Sequence, residues 1–148
     1  MARVAKHGGV VAAYVWDYAG EMQMLRRFWD VATSLDQSAA SLHEGSRFPL
    51  CAPDSLAALW HKAGLNRVKL RPIDVPMRFE SFDDFWTPFL GGQGPAPTYV
   101  ATLSEAHRER LRDTLRTYIV TRTDGAVELT ARAWAVKGTV ARARRSWE

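Results

Sequence analysis

Two groups of side chains carry the chemistry this sequence could perform. Asp17 stands between Trp16 and Tyr18 at the end of the apolar run Val10–Trp16. In that position its carboxylate could act as a polar anchor or base, with the two rings as walls for a flat molecule. It is equally suited to capping a helix that opens near Gly20, with Trp16 and Tyr18 as core. Trp86, Phe89, Gln93 and Tyr99 form the second group, which could close over a small molecule as a lid hinged on Gly91–Pro97. At helical spacing, an aromatic stripe of this kind also suits a core.

The other reactive residue types are scattered. His7, His43, His61 and His107 lack the spacing of metal ligands. Cys51 has no partner cysteine and precedes a helix, the setting of a small buried side chain. Asp83 and Asp84 open a helix, where they favour its dipole. None of these arrangements signals catalysis by the chain alone.

The elements that must position these residues follow from periodicity and punctuation. The run Val10–Trp16 reads as a strand, and Glu21–Leu35 as an amphipathic helix through Met22, Leu25, Phe28, Trp29, Ala32 and Leu35. Ser38–Pro49 is a polar connection containing Gly45. Pro53 suits the first position of a helix striped by Leu56, Leu59, Trp60 and Ala63 and stopped by Gly64. Asn66–Phe79 alternates as a strand, with Val68 and Leu70 on one face, but Pro72 and Pro76 confine it to an edge or break it. Ser81–Leu90 is helical, and Gly91–Pro97 reads as irregular. Ser104 caps a helix that buries Leu111, Leu115, Tyr118 and Ile119. Asp124-Gly125 is a turn, and Val127–Val136 is a strand with Leu129, Ala131, Ala133 and Ala135 on one side.

Composition sets the outer bounds. The chain has 148 residues, 47% hydrophobic and 24% charged, ordinary for one globular domain. No run approaches the roughly 20 apolar residues of a membrane span, and the start lacks the pattern of a signal peptide. One cysteine excludes an internal disulfide framework, which makes a reducing cytoplasm the expected compartment. Most of the net charge of +4 lies near the end, in Lys137, Arg142, Arg144 and Arg145 against Glu148. A short basic tail over residues 139–148, after a single domain over 1–138, argues against nucleic acid as a partner.

The order of these elements carries a resemblance. It rests on Arg3-Val4, Lys6 and Gly8-Gly9 leading into Val10–Trp16 and Asp17-Tyr18, on Phe48-Pro49-Leu50, and on Leu56–Gly64 leading into Asn66-Arg67-Val68. The closing strand Ala131–Gly138 completes it. Over Ala2–Gly138 the chain resembles the C-terminal half of a class I S-adenosylmethionine-dependent methyltransferase of the small-molecule type. The resemblance implies an α/β fold, a partial Rossmann-like sheet of about three strands whose last two form an antiparallel hairpin, with packed helices and a helical insertion. It also implies that the end of Val10–Trp16 and the insertion shape the pocket for a methyl acceptor, placing Trp16, Asp17, Tyr18, Trp86, Phe89, Gln93 and Tyr99 there.

The sequence departs from that family in ways that matter. His7 stands where proline usually precedes Gly-Gly. The half that binds S-adenosylmethionine has no counterpart: no strand leads into a glycine-rich turn, and no acidic residue follows to hold the ribose. A central strand so close to Met1 predicts that its neighbours lie outside the chain. Three functional expectations follow: a truncated or split methyltransferase completed by a partner, a non-catalytic small-ligand or dimerisation module, or an unrelated small enzyme. Val10–Trp16 deprived of a neighbour predicts a homodimer through that strand or its exposed face, or a complementary methyltransferase half. Rearrangement of the helices from Glu21 and Ser104 over the gap is the alternative.

Overall fold

The computed structural model describes residues 2–141. In chain order the elements are β1 (Val10–Trp16), α1 (Gln23–Leu35), α2 (Glu44–Arg47), α3 (Pro53–Lys62), β2 (Leu65–Phe79), α4 (Phe82–Trp86), α5 (Pro95–Thr102), α6 (Glu105–Tyr118) and β3 (Val127–Val140). The three strands form one sheet in the order β1-β3-β2, with β3 antiparallel to both neighbours. β1 and β2 therefore run in the same direction on either side of it. The fold is mixed α/β.

β1 pairs with β3 from Val10↔Thr139 to Trp16↔Ala133. Among the described residues β1 has a single neighbour, the antiparallel β3, and its other side is free. β2 pairs along its whole length, from Leu65↔Val140 to Phe79↔Val127, with a bulge between Asn66 and Lys69 where Arg67 takes φ +53°. The two prolines do not break it. Pro72 and Pro76 are four residues apart, so both can turn their missing N–H toward the outer edge, away from β3.

Two cores lie on opposite faces of the sheet. On one, Phe28, Trp29 and Ala32 of α1 meet Phe85 and Phe89 of the insertion, Leu111 and Leu115 of α6, and Val127 and Leu129 of β3. Phe28 and Trp29 are wholly buried, and burying rings of this size contributes roughly 2–3 kcal/mol each. On the other face, Leu56 and Trp60 of α3 cover Val11, Leu65 and Val136. Leu59, expected in the α3 stripe, is exposed, and so is Tyr118 at the end of α6.

The insertion departs from the sequence reading in two places. Gly91–Pro97 is irregular only as far as Gly94, because Pro95 opens α5, a position that its fixed φ and missing N–H suit. The aromatic stripe of α4 and the 3-10 turn after it packs into the core: Phe85, Trp86 and Phe89 are all buried. Ser81 caps α4 by accepting from the Asp84 amide at 3.1 Å, and Asp84 accepts from the Glu80 amide at 3.0 Å. Asp83 does more than favour the dipole, since it pairs with Arg112 at 2.7 Å and Arg116 at 2.8 Å. The connection Ser38–Pro49 holds a 3-10 turn over Gln37–Leu42 and the short α2. β3 continues to Val140, past the expected end of the domain at 138; the basic residues from 142 onward lie outside the described residues.

The upper part of one sheet face is bare. Tyr14 (73% exposed), Val10 (65%), Trp16 and Ile73 lie there with Ala135, rimmed by Lys69, Arg71 and Lys137. α1 and α6 cover only the opposite end of this face and do not close the gap beside β1.

Candidate functional site

The chain leaves β1 through a turn that Asp17 organises. Its amide donates to the Arg132 carbonyl at 2.9 Å, and its carbonyl accepts from the amides of Gly20 (3.1 Å) and Met22 (3.0 Å). Its carboxylate, buried in the turn, accepts from the Glu21 amide at 3.0 Å. The carboxylate braces this turn rather than capping α1, whose N-cap is Met22 with no side-chain hydrogen bond. The consequence is positional: Tyr18 is held at the C-terminal end of β1, where open α/β sheets place their ligands.

A second segment closes on Tyr18. His43 caps α2, its Nδ1 accepting from the Gly45 amide at 3.0 Å, and its ring lies over Trp29 with centroids 6.3 Å apart. Gly45 is required here: a Cβ would stand 3.0 Å from the Ala19 Cα and 2.9 Å from the His43 ring. This contact brings Glu44 inward, to 4% exposure, with its carboxylate accepting from the Trp29 indole N–H. The third wall is the segment from Pro88 to Pro97. Phe89 is stacked on Phe28 at 4.5 Å and 15°.

Together these elements enclose a cavity of about 300 Å³ lined by Tyr18, Met24, Leu25, Glu44, Phe89 and the stretch Gln93–Pro97 with Pro88. Its lining residues are apolar apart from Glu44, Tyr18 and Gln93. Burial first, then the charges of Glu44 and Cys51, push the Tyr18 phenol above its ordinary value. The Cys51 thiol is likewise pushed up, by burial and then by Asp17.

Of the expected site residues, the structure gathers Tyr18, Phe89 and Gln93 around this cavity. Trp16 lies instead on the bare sheet face, and Asp17 in the turn below. Trp86 is behind the wall, 5.8 Å from Phe89 between ring centroids. Tyr99 belongs to a separate cavity of about 250 Å³, where its hydroxyl donates to Asp36 at 3.2 Å. Glu44 is the residue that sequence reasoning missed. A lone acid in a polar connection gives no signal, and its burial comes from Trp29, fifteen positions away. Among the described residues no group of three or more His, Cys, Asp or Glu could hold a metal ion, and no helix is long and apolar enough to cross a membrane.

No protein-family model matches the sequence, and no curated protein matches it. β1 runs into the Asp17 turn, where the space above Gly20 is filled by the Asp17 carboxylate, and β2 runs into the Ser81 cap. Neither turn is the glycine-rich approach that a nucleotide-like cofactor requires.

Proposed function

We propose that this chain carries the acceptor-binding half of a methyl-transferring fold, its donor half supplied by a partner across β1. The single observation that carries the reading is the contrast between the two sheet edges. β2 presents prolines and charges on its outer side, the usual protection against further pairing. β1 presents Val-Val-Ala-Ala-Tyr-Val-Trp with no proline or charge, beside a bare apolar face. An edge of that composition is built for a neighbour. The cavity at the C-terminal end of β1 supports the acceptor role, and the strand order β1-β3-β2 agrees with the family resemblance. Because methyl transfer depends mainly on aligning donor and acceptor, a pocket without an acid–base pair is compatible with it.

Calorimetric titration with S-adenosylmethionine tests this directly. The chain alone is expected not to bind it. Mixing with a separately produced donor half of a small-molecule methyltransferase is expected to yield a complex that does, with Tyr14 and Trp16 shielded from a fluorescence quencher. Binding of S-adenosylmethionine by the monomeric chain alone would refute the reading, as would failure of any such half to associate.

The free β1 edge also favours a second reading, a non-catalytic ligand-binding homodimer. Lys69, Arg71 and Lys137 ring the bare face, so two copies would repel one another face to face. Strand pairing edge to edge, giving a six-stranded sheet, is the arrangement they permit. Sedimentation at micromolar concentration distinguishes a dimer from the monomer that awaits another half.

A further inference from the structure

The cavity at the end of β1 is lined by one acid whose carboxylate the fold uses only in part. Glu44 is 4% exposed, yet no salt bridge involves it among the described residues, and no lysine, arginine or histidine lines the cavity. One carboxylate oxygen accepts from the Trp29 indole. Among the described residues, no side chain or backbone group donates to the other. That second oxygen is not among the buried polar atoms left without a partner, so it keeps contact with solvent, where a donor can reach it.

We propose that Glu44 is the anchor for a small ligand bearing an ammonium or other N–H donor beside an apolar ring, the ring lying against Phe89 and the prolines at 88, 95 and 97. This rests on the acceptor-pocket reading and narrows it to nitrogenous molecules. Three features suit such a ligand. Glu44 lines a space of about 300 Å³, enough for a single-ring molecule. A cation would face no competing positive charge there. Tyr18, lining the same cavity, is a second residue with a polar group to offer. A carboxylate ligand would meet Glu44 with like charge, and an alcohol would gain only a neutral hydrogen bond, about half as strong as a charge-assisted one.

The test uses three probes with one ring and one tether: 2-phenylethylamine, 2-phenylethanol and phenylacetate. Each is titrated into the full chain, without methyl donor, and followed by the amide and indole N–H signals in two-dimensional NMR. The amine is expected to bind at least tenfold more tightly than the other two and to shift the Trp29 indole signal, because that N–H shares the carboxylate. Glu44→Gln keeps an oxygen for Trp29 but removes the charge, and should reduce the preference to within about threefold. Equal binding of all three probes, no binding of the amine, or a preference that survives in E44Q would overturn the proposal. If E44Q does not fold, the wild-type indole shift decides: an amine that binds without moving it overturns the proposal equally. Amine preference in a chain that never associates with a donor half would sink the methyltransferase reading and leave this one standing.

Discussion

Gly20 and Asp17 offer a sharp test of how the turn below the cavity is built. A Cβ at position 20 would stand 2.8 Å from both Cγ and Oδ1 of Asp17, with Oδ2 closer still. All three of its nearest neighbours belong to that one side chain. Gly20→Ala must therefore push the carboxylate aside, at an overpacking cost of about 1–3 kcal/mol. It also breaks the bond from the Glu21 amide, worth roughly 1 kcal/mol, so about 2–4 kcal/mol in total is expected. Asp17→Ala removes the acceptor of the Glu21 amide within the turn and should cost about 1–2 kcal/mol. In the D17A background the methyl group at position 20 meets vacated space. Gly20 is not among the residues with positive φ, so there the change should stabilise by about 0.4–1 kcal/mol through the unfolded chain. The double variant is then expected to cost only about 1 kcal/mol, a favourable coupling of at least 2 kcal/mol. Urea unfolding followed by tryptophan fluorescence, with unchanged m-values, measures all four corners. Additivity within about 0.5 kcal/mol would refute the claim that the Asp17 carboxylate is what requires glycine there. Asp17→Asn, which keeps an acceptor for Glu21, separates bracing of the turn from chemistry: if it leaves stability within about 0.5 kcal/mol but abolishes amine binding, Asp17 belongs to the site after all.

Other consequences are accessible to simpler measurements. Ser104 accepts from the His107 amide at 3.4 Å and meets its ring nitrogen at 2.9 Å, so Ser104→Ala should cost about 1 kcal/mol by urea midpoint; no change would mean that the long cap bond contributes nothing. Hydrogen bonds from Arg132 to Asp74 and from Arg112 to Asp83 hold both carboxyls below their ordinary value of 3.8. Carboxyls depressed in the folded state stabilise it above that value and lose the contribution as pH falls through their lower folded pKa. The urea midpoint should thus drop between pH 5 and 3, and Asp83→Asn should make the drop shallower; an unchanged slope would show that these pairs do not stabilise the fold. Burial, then Asp17, raises the Cys51 thiol, so iodoacetamide should modify it more slowly at pH 7 than a free cysteine peptide, with a rate still rising above pH 9.

Where local chemistry decides an element, the sequence was enough. Pro53 and Gly64 bracket α3, Ser104 opens α6, and Asp124-Gly125 makes the turn before β3, with Gly125 at φ +84°. Where two local rules conflict, the structure had to arbitrate. Two prolines in Asn66–Phe79 demote a strand only if they face a partner, and parity along β2 lets both turn outward. Pro95 could end an irregular stretch or begin a helix. The choice falls to α5, whose Ala96, Tyr99 and Val100 bury in the core with Phe28 and Trp29. The aromatic stripe Trp86–Phe89 was open between lid and core, and its contact with Phe28 makes it core.

The cavity shows why the site was only half legible. Tyr18 and Phe89 announce themselves as aromatic residues at the ends of regular elements, which is where sequence patterns are strongest. Glu44 gains its position through three contacts distant in sequence: the Trp29 indole, the close approach of Gly45 to Ala19, and the His43 ring lying over Trp29. Each of these is unremarkable alone, and none leaves a periodic trace. Yet together they bury the one acid that gives the cavity a chemical preference. The same division applies to the sheet. The apolar content of β1 is written in seven consecutive residues, whereas its place at an edge depends on β3 crossing between it and β2. Composition thus indicates that β1 needs a neighbour on each side, and topology supplies only one. What joins the free side decides whether the amine-selective cavity faces a methyl donor or simply holds its ligand.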